Sequence, residues 1–165
     1  MGFDLSGINP QINKPETDYK YYKEDVWAHD LPEKDRKKYF KEMNEYHEAN
    51  PGVYFRNNVW WWRPLWNFVC DKCSDILTED DFQAGGYNDG WEISPKKAYK
   101  LGIKLKKLIE DGDVDSYEKD YKKHREELAE SEDEDVKFLS NYPFSKDNVD
   151  SFADFCLQSG GFVIC

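Results

Sequence analysis

The 165-residue chain contains no apolar run near the roughly 20 residues that a membrane-spanning helix needs, which argues against a helical membrane protein. Cysteine is scarce: Cys70, Cys73, Cys156 and Cys165 are too few for a disulfide scaffold of this length, so reduced thiols in a cytosol are expected. Catalytic templates are missing as well, with no HExxH, G-x-S-x-G, P-loop or G-x-G-x-x-G. The histidines, His29, His47 and His124, are scattered through charged contexts that suit surface positions. Positive charge is in short supply, 23 basic against 34 acidic side chains and a net charge of −11. Such a field repels phosphate and argues against direct binding of nucleic acid or an anionic membrane. No N-x-[ST] acceptor occurs. The start, MGFDLSGINP, lacks the basic and apolar regions of a secretory signal. It fits the loose myristoylation pattern through Gly2 and Ser6, but no basic patch supplies a second anchor, and a short strand is the simpler account.

What is abundant is aromatic surface: six Trp, eleven Tyr and ten Phe. High charge alone would suggest disorder, whereas this aromatic content predicts a packed core in one domain spanning residues 1–165. The charge is uneven, net −7 over residues 1–94, +4 over 95–125 and −8 over 126–155.

Hydrophobic spacing predicts helices dominating a small sheet. Phe3-Asp4-Leu5 reads as a strand, and residues 11–30 show no clear period. A helix is expected over 31–50, with Tyr39, Phe40, Met43 and Tyr46 on one face, stopped by Asn50-Pro51-Gly52. Val53-Tyr54-Phe55 is β-prone. Pro64 is costly inside a helix, which places the next helix start near Arg63, with Leu65, Trp66, Val69, Cys70, Cys73, Ile76 and Leu77 as its apolar stripe. Residues 78–91 read as a loop with tight turns. Ser94-Pro95 opens a helix that Gly112 ends, and a second carries Val114, Tyr117, Tyr121 and Leu128. ESEDED (130–135) is a solvated acidic connection. Ser145 caps a last helix with Val149, Phe152, Ala153 and Cys156 inward, and Gly160-Gly161 release the chain into Phe162-Val163-Ile164-Cys165. The class is therefore α+β, helix-dominated, with a small sheet built from the N- and C-terminal segments.

Cys70-x-x-Cys73 invites a zinc or redox reading. The pair lies on an apolar helical stripe, where buried structural thiols are the simpler account, and zinc requires Cys70, Cys73, Cys156 and Cys165 to converge. DGDVDS imitates the opening of a calcium loop but has Ser116 where Gly belongs and Lys122 where Glu belongs, so calcium is rejected. Lys96, Lys100, Lys104 and Lys107 recur at helical spacing, as a solvated face would. The more specific constellation is Arg56-Asn57-Asn58 and Trp60-Trp61-Trp62-Arg63, followed by Tyr87-Asn88-Asp89. Three consecutive Trp cannot share one helical face. Trp and Arg together offer a stacking surface and a fork for phosphate or carboxylate. The candidate ligand-binding set is Arg56, Asn58, Trp61, Trp62, Arg63, Asn88 and Asp89, set against core packing of the Trp residues. No residue is assigned a catalytic role and no cofactor is implied.

MGFDLSGINP, YFRNNVWWWRPLWNFVC, YNDGWEIS and NYPFSKDNVDSFADFCLQSGGFVIC together resemble a family of small uncharacterised proteins of phages and prophages. Some members of that family carry extra CxxC-Gly pairs of zinc-ribbon type where this chain has ESEDEDVKFLS, and residues 14–50 look like an insertion relative to the family pattern. The resemblance implies the cytoplasm of an infected bacterial host and an accessory role in host takeover or counter-defence. Three function classes follow: a non-catalytic binder of a small anionic or nucleotide-like ligand at the Trp/Arg surface; an acidic inhibitor or nucleic-acid mimic that engages a host protein through residues 126–135; and an enzyme without a recognisable motif.

Overall fold

A computed structural model describes residues 2–165. Strand β1 (Gly2–Gly7) alternates buried Phe3 and Leu5 with outward Asp4 and Ser6, the period-2 pattern of a sheet covered on one face. It is the central ladder of a four-stranded antiparallel sheet in the order β2-β1-β4-β3, with β2 at Tyr54–Asn58, β3 at Trp91–Ile93 and β4 at Phe162–Ile164. Leu5 faces Phe55 on one side and Ile164 on the other. The protein is thus α+β, its N- and C-terminal strands adjacent at the middle of the sheet, and helices dominate the rest.

Those helices are α1 (Glu33–Ala49), α2 (Val59–Lys72), α3 (Glu79–Ala84), α4 (Pro95–Glu110), α5 (Asp113–Ala129), α6 (Glu134–Phe138) and α7 (Lys146–Gln158). Ser94 and Ser145 cap α4 and α7 by accepting from the third backbone N–H beyond them. The expected apolar stripes of α4 and α7 face one another, and Gly102 allows the close approach: a Cβ there would lie 2.5 Å from Leu157 Cγ. At the end of α7, Gly160 and Gly161 adopt φ of +62° and +92°, which turns the chain back into β4. Over the covered face of the sheet, Phe55, Phe152, Phe155 and Phe162 form a connected aromatic layer.

Three expectations about where elements lie change. Helix α2 begins at Val59, not near Arg63, because the Asn58 side chain accepts from the backbone N–H groups of Trp60 and Trp61 at 3.0 and 3.2 Å. Pro64 therefore sits inside the helix, where its missing N–H forfeits one bond while its ring is buried. Second, residues 78–91 hold α3 and β3 as well as turns. Thr78 and Asp81 form a reciprocal capping box, a local signal that the neighbouring glycines obscure. Third, the acidic connection runs into α6, capped by Asp133.

Residues 14–50 do not join the main core. Tyr19, Tyr22, Tyr39 and Tyr46 make a second cluster of buried rings. Tyr39 hydroxyl donates to Val26 O at 2.8 Å and Tyr46 hydroxyl to Glu24 Oε1 at 2.9 Å, so apolar ring area is buried with those two polar ends satisfied. Fully buried Asn50 joins this cluster to the start of the chain: it accepts from the Asn13 and Lys14 N–H groups and donates to Lys14 and Tyr46 carbonyls. Phe40, placed on the inner face by periodicity, is instead 47% exposed.

Short α3 is fastened from three directions. Trp62 Nε1 donates to Gly85 O at 2.9 Å, Trp66 Nε1 to Phe82 O at 3.1 Å, and Trp91 Nε1 to Asp81 Oδ1 at 3.2 Å. Asp81, 2% exposed, also accepts from Lys97 Nζ at 2.5 Å and from the Thr78 N–H and hydroxyl. Burial works to raise its carboxyl pKa, but these donors outweigh burial and hold it below the ordinary Asp range. We expect Asp81→Ala to cost about 3 kcal/mol, since it breaks a buried ion pair and a helix cap together. Lys97→Ala should cost a comparable amount, about 3 kcal/mol, because it leaves the buried Asp81 carboxylate without its counter-charge. A depressed carboxyl pKa stabilises fully above the unfolded value and loses that contribution as pH falls through the folded value. Denaturant melts of both variants across acid pH check this: the gap between wild type and Asp81→Ala should close as the pH drops below about 4.

A cleft between two helices as the candidate functional site

The Trp run is divided by helical geometry. Each successive residue turns about 100° around α2, so three neighbours face three environments. Trp62 points into the core, fully buried, stacked on Phe3 at 5.4 Å and on Trp66 at 5.2 Å. Its ring faces are occupied, so it offers a ligand no stacking platform. Trp61 is half-buried on the flank of the helix. Trp60 turns the other way and packs on Tyr142 at 4.8 Å and on Phe138 at 5.3 Å.

The remaining expected site residues do not assemble. Arg56 lies on the outward face of β2, with Nε 3.4 Å from Asp4, which also accepts the Tyr54 hydroxyl. Asn58 is committed to capping α2. Asn88 donates to Gly2 O at 3.0 Å, and Asp89 borders an open depression beside Tyr87 and Trp91. Arg63 borders two clefts, one of which it shares with buried Trp62.

The larger cleft, about 340 Å³, lies between α2 and α5 under the 3-10 turn Leu139–Asn141. Arg63, Asn67, Tyr117, Tyr121, His124 and Tyr142 line it, with Leu128 and Leu139 at its apolar side. Exposed Arg63 donates to Tyr142 Oη at 3.1 Å, its guanidinium 6.0 Å from that ring's centroid. Among the described residues, no carboxylate lies within ion-pair distance of Arg63, and none lines the cleft. The wall is held in place: Tyr121 hydroxyl donates to Tyr142 O at 3.1 Å, and Arg125 Nε to Ser140 O at 2.8 Å. Tyr117 and Tyr121 stack at 5.9 Å. Burial raises both phenol pKa values; the Tyr121 proton is committed to Tyr142 O, which leaves the Tyr117 hydroxyl as the phenol donor for a guest. The cleft thus presents a positive fork, aromatic surfaces and hydrogen-bond donors, chemistry suited to holding a planar anion.

A smaller cleft of about 280 Å³ lies on the other side of Arg63, toward Phe82 and Tyr87. Its indoles, Trp62 and Trp66, are 0% and 2% exposed, so it offers little stacking area. A third, between α2 and α3, is lined by Cys70 together with Asp71 and Glu79, whose charges oppose an anion.

Tyr117, Tyr121, His124 and Tyr142 were not among the residues expected from sequence. The first two were placed on an inward helical stripe, and only the separation of α2 from α5 leaves their edges open. No family model, curated protein or solved structure matches the chain.

Among the described residues, no group of three or more Cys, His, Asp or Glu side chains gathers to hold a metal, and Cys165 is exposed at the end of β4 while Cys70, Cys73 and Cys156 are buried. Burial pushes the Cys70 thiol up to about 12 and Cys73 to about 11, and raises Cys156 well above its usual value. Raised thiols hold little thiolate at neutral pH. A disulfide-exchange reagent should therefore label Cys165 rapidly in the native protein and the other three only on unfolding, and a strong chelator should leave the melting temperature unchanged. Fast native labelling of Cys70 or Cys73 would contradict that assignment.

Proposed function

We propose that the protein is a non-catalytic binding protein that holds a nucleotide-like or related planar anion in the α2–α5 cleft. The observation that carries this reading is Arg63: an exposed guanidinium, set against Tyr142 and without a carboxylate partner, in a chain of net charge −11. In such a chain, a cation left unpaired at a cleft mouth favours an anionic guest locally, against the long-range field. Tyr142 supplies a face for stacking, and the Tyr117 and Tyr121 edges complete an aromatic wall. The resemblance to phage and prophage proteins supports an accessory role in an infected bacterial cytoplasm, in which sequestering a small host or defence-related anion is the activity.

Trp60 packs on Tyr142, so its fluorescence reports occupancy of the cleft. Titration with a panel of nucleoside phosphates and aromatic carboxylates should quench emission saturably for at least one member. Arg63→Ala should weaken that binding roughly tenfold or more, the usual loss of a charge-assisted contact, with an unchanged melting temperature because Arg63 is exposed. Saturable binding that is equal in wild type and Arg63→Ala, or silence across the whole panel, would overturn the proposal.

A further inference from the structure

A second cleft, on the tyrosine-cored part of the chain, is bordered by a carboxylate, Glu24, rather than by a guanidinium. It encloses about 350 Å³ between α1 and the segment that precedes it, and Glu24, Trp27, His29, Tyr39, Phe40 and Met43 border it. Trp27 is 74% exposed and, among the described residues, stacks on no other ring, and exposed Phe40 borders the same cleft. Tyr39 and Phe40 stand nearly perpendicular, at 85° with centroids 5.6 Å apart, so they present surfaces in two directions. Phe40, 47% exposed, is the residue that departs from the inward stripe of α1.

The charges near this cleft nearly balance, since α1 adds Lys34, Arg36, Lys37, Lys38 and Lys41, but the ionised side chain that borders it is Glu24. Residues 24–33 contain Glu24, Asp25, Asp30 and Glu33 and no Lys or Arg. Glu24 accepts the Tyr46 hydroxyl at 2.9 Å, which fixes one carboxylate oxygen, and no basic side chain lies within ion-pair distance of it among the described residues. The cleft is also braced. Tyr39 hydroxyl donates to Val26 O, and Arg36 donates from Nε to Leu31 O at 3.1 Å and from its other guanidinium nitrogen to His29 O at 3.2 Å. These bonds hold the segment that carries Trp27 against α1.

We infer that this cleft binds an alkylated ammonium group, with Trp27 and Phe40 as its exposed aromatic walls, buried Tyr39 as its floor and Glu24 as counter-charge. Ring faces attract cations through their quadrupoles, and the attraction is greatest for Trp. A bare ammonium ion keeps its water too tightly to trade it for rings and a single carboxylate. A methylated ammonium spreads its charge over apolar methyl groups, which match the aromatic walls and the Met43 side chain. The same head group occurs on small quaternary amines and on trimethylated lysine.

The indole N–H resonances of the full chain provide the test. Trp62, Trp66 and Trp91 donate to protein acceptors remote from this cleft, and Trp60 and Trp61 lie on α2 and do not border it, so Trp27 is the indole expected to move. Titration with tetramethylammonium should shift the Trp27 signal saturably, whereas ammonium and neutral tert-butanol should not. Trp27→Ala should abolish binding while leaving the circular dichroism spectrum intact, because the ring is largely exposed. Glu24→Gln, which keeps an acceptor for Tyr46, should weaken binding roughly fivefold. Parallel titrations with choline and with a trimethyllysine peptide distinguish the two sources, and preference for either supports the site. An equal response to tert-butanol would reduce it to an apolar dimple, and the absence of any saturable shift with tetramethylammonium would overturn the inference.

Discussion

The structure depends on β1 being hydrogen-bonded along both edges. A six-residue strand has little stability alone, and this one gains it from partners far along the chain, β2 about fifty residues away and β4 at the C-terminal end. Asp4 and Cys165 exchange both of their backbone bonds, at 2.7 and 2.8 Å, so the two terminal segments lock directly. Each partner strand brings a helix with it: β2 runs straight into α2 at the Asn58 cap, and α7 turns into β4 through two left-handed glycines. The covered face of the sheet then collects Phe3, Leu5, Phe55, Phe162, Ile164 and Ile93 beneath those helices. Because these contacts join distant segments, the core forms cooperatively rather than element by element.

Aromatic residues provide more than buried area in this arrangement. Three indole N–H groups fasten α3, a helix too short to persist alone, while their rings fill the space beneath it. Tyrosines perform the same double task around α1, where rings make a second core and the Tyr39 and Tyr46 hydroxyls reach polar partners at its boundary. An acidic chain can thus keep a highly charged surface and still bury enough apolar area to fold. The two clefts that stand out chemically are both places where this aromatic packing reaches solvent beside a charge: Arg63 in one, Glu24 in the other.

Much of the fold was legible because its signals are local. Ser94-Pro95, Ser145 and the Asn50-Pro51-Gly52 stop mark helix ends through bonds made within a few residues, and the stripes of α4 and α7 follow helical spacing. Where local signals conflict, the reading failed. At α2, the Asn58 cap competes with Pro64, and burial of the proline ring within the core makes the longer helix acceptable. At residues 78–91, glycines dominate the composition, yet the box formed by Thr78 and Asp81 and three distant indoles sustain α3. The candidate site was legible only at Arg63. Arg56, near it in type and in sequence, and Asp89, farther along the chain, are carried to other surfaces by strand alternation and by the turn after α3.

The sequence by itself determined the α+β class, the ladder-forming terminal segments and the inward stripes of α4 and α7, since caps, periodicity and turn residues act over a few positions. It also established that Trp60, Trp61 and Trp62 must diverge. Only the tertiary structure decided where each one goes: Trp62 into the core against Phe3, and Trp60 outward to support Tyr142 beside Arg63. A cleft is the gap left between surfaces from distant parts of the chain. Tyr117, Tyr121, His124 and Tyr142 become neighbours of Arg63 only after α2, α5 and the turn before Tyr142 have packed.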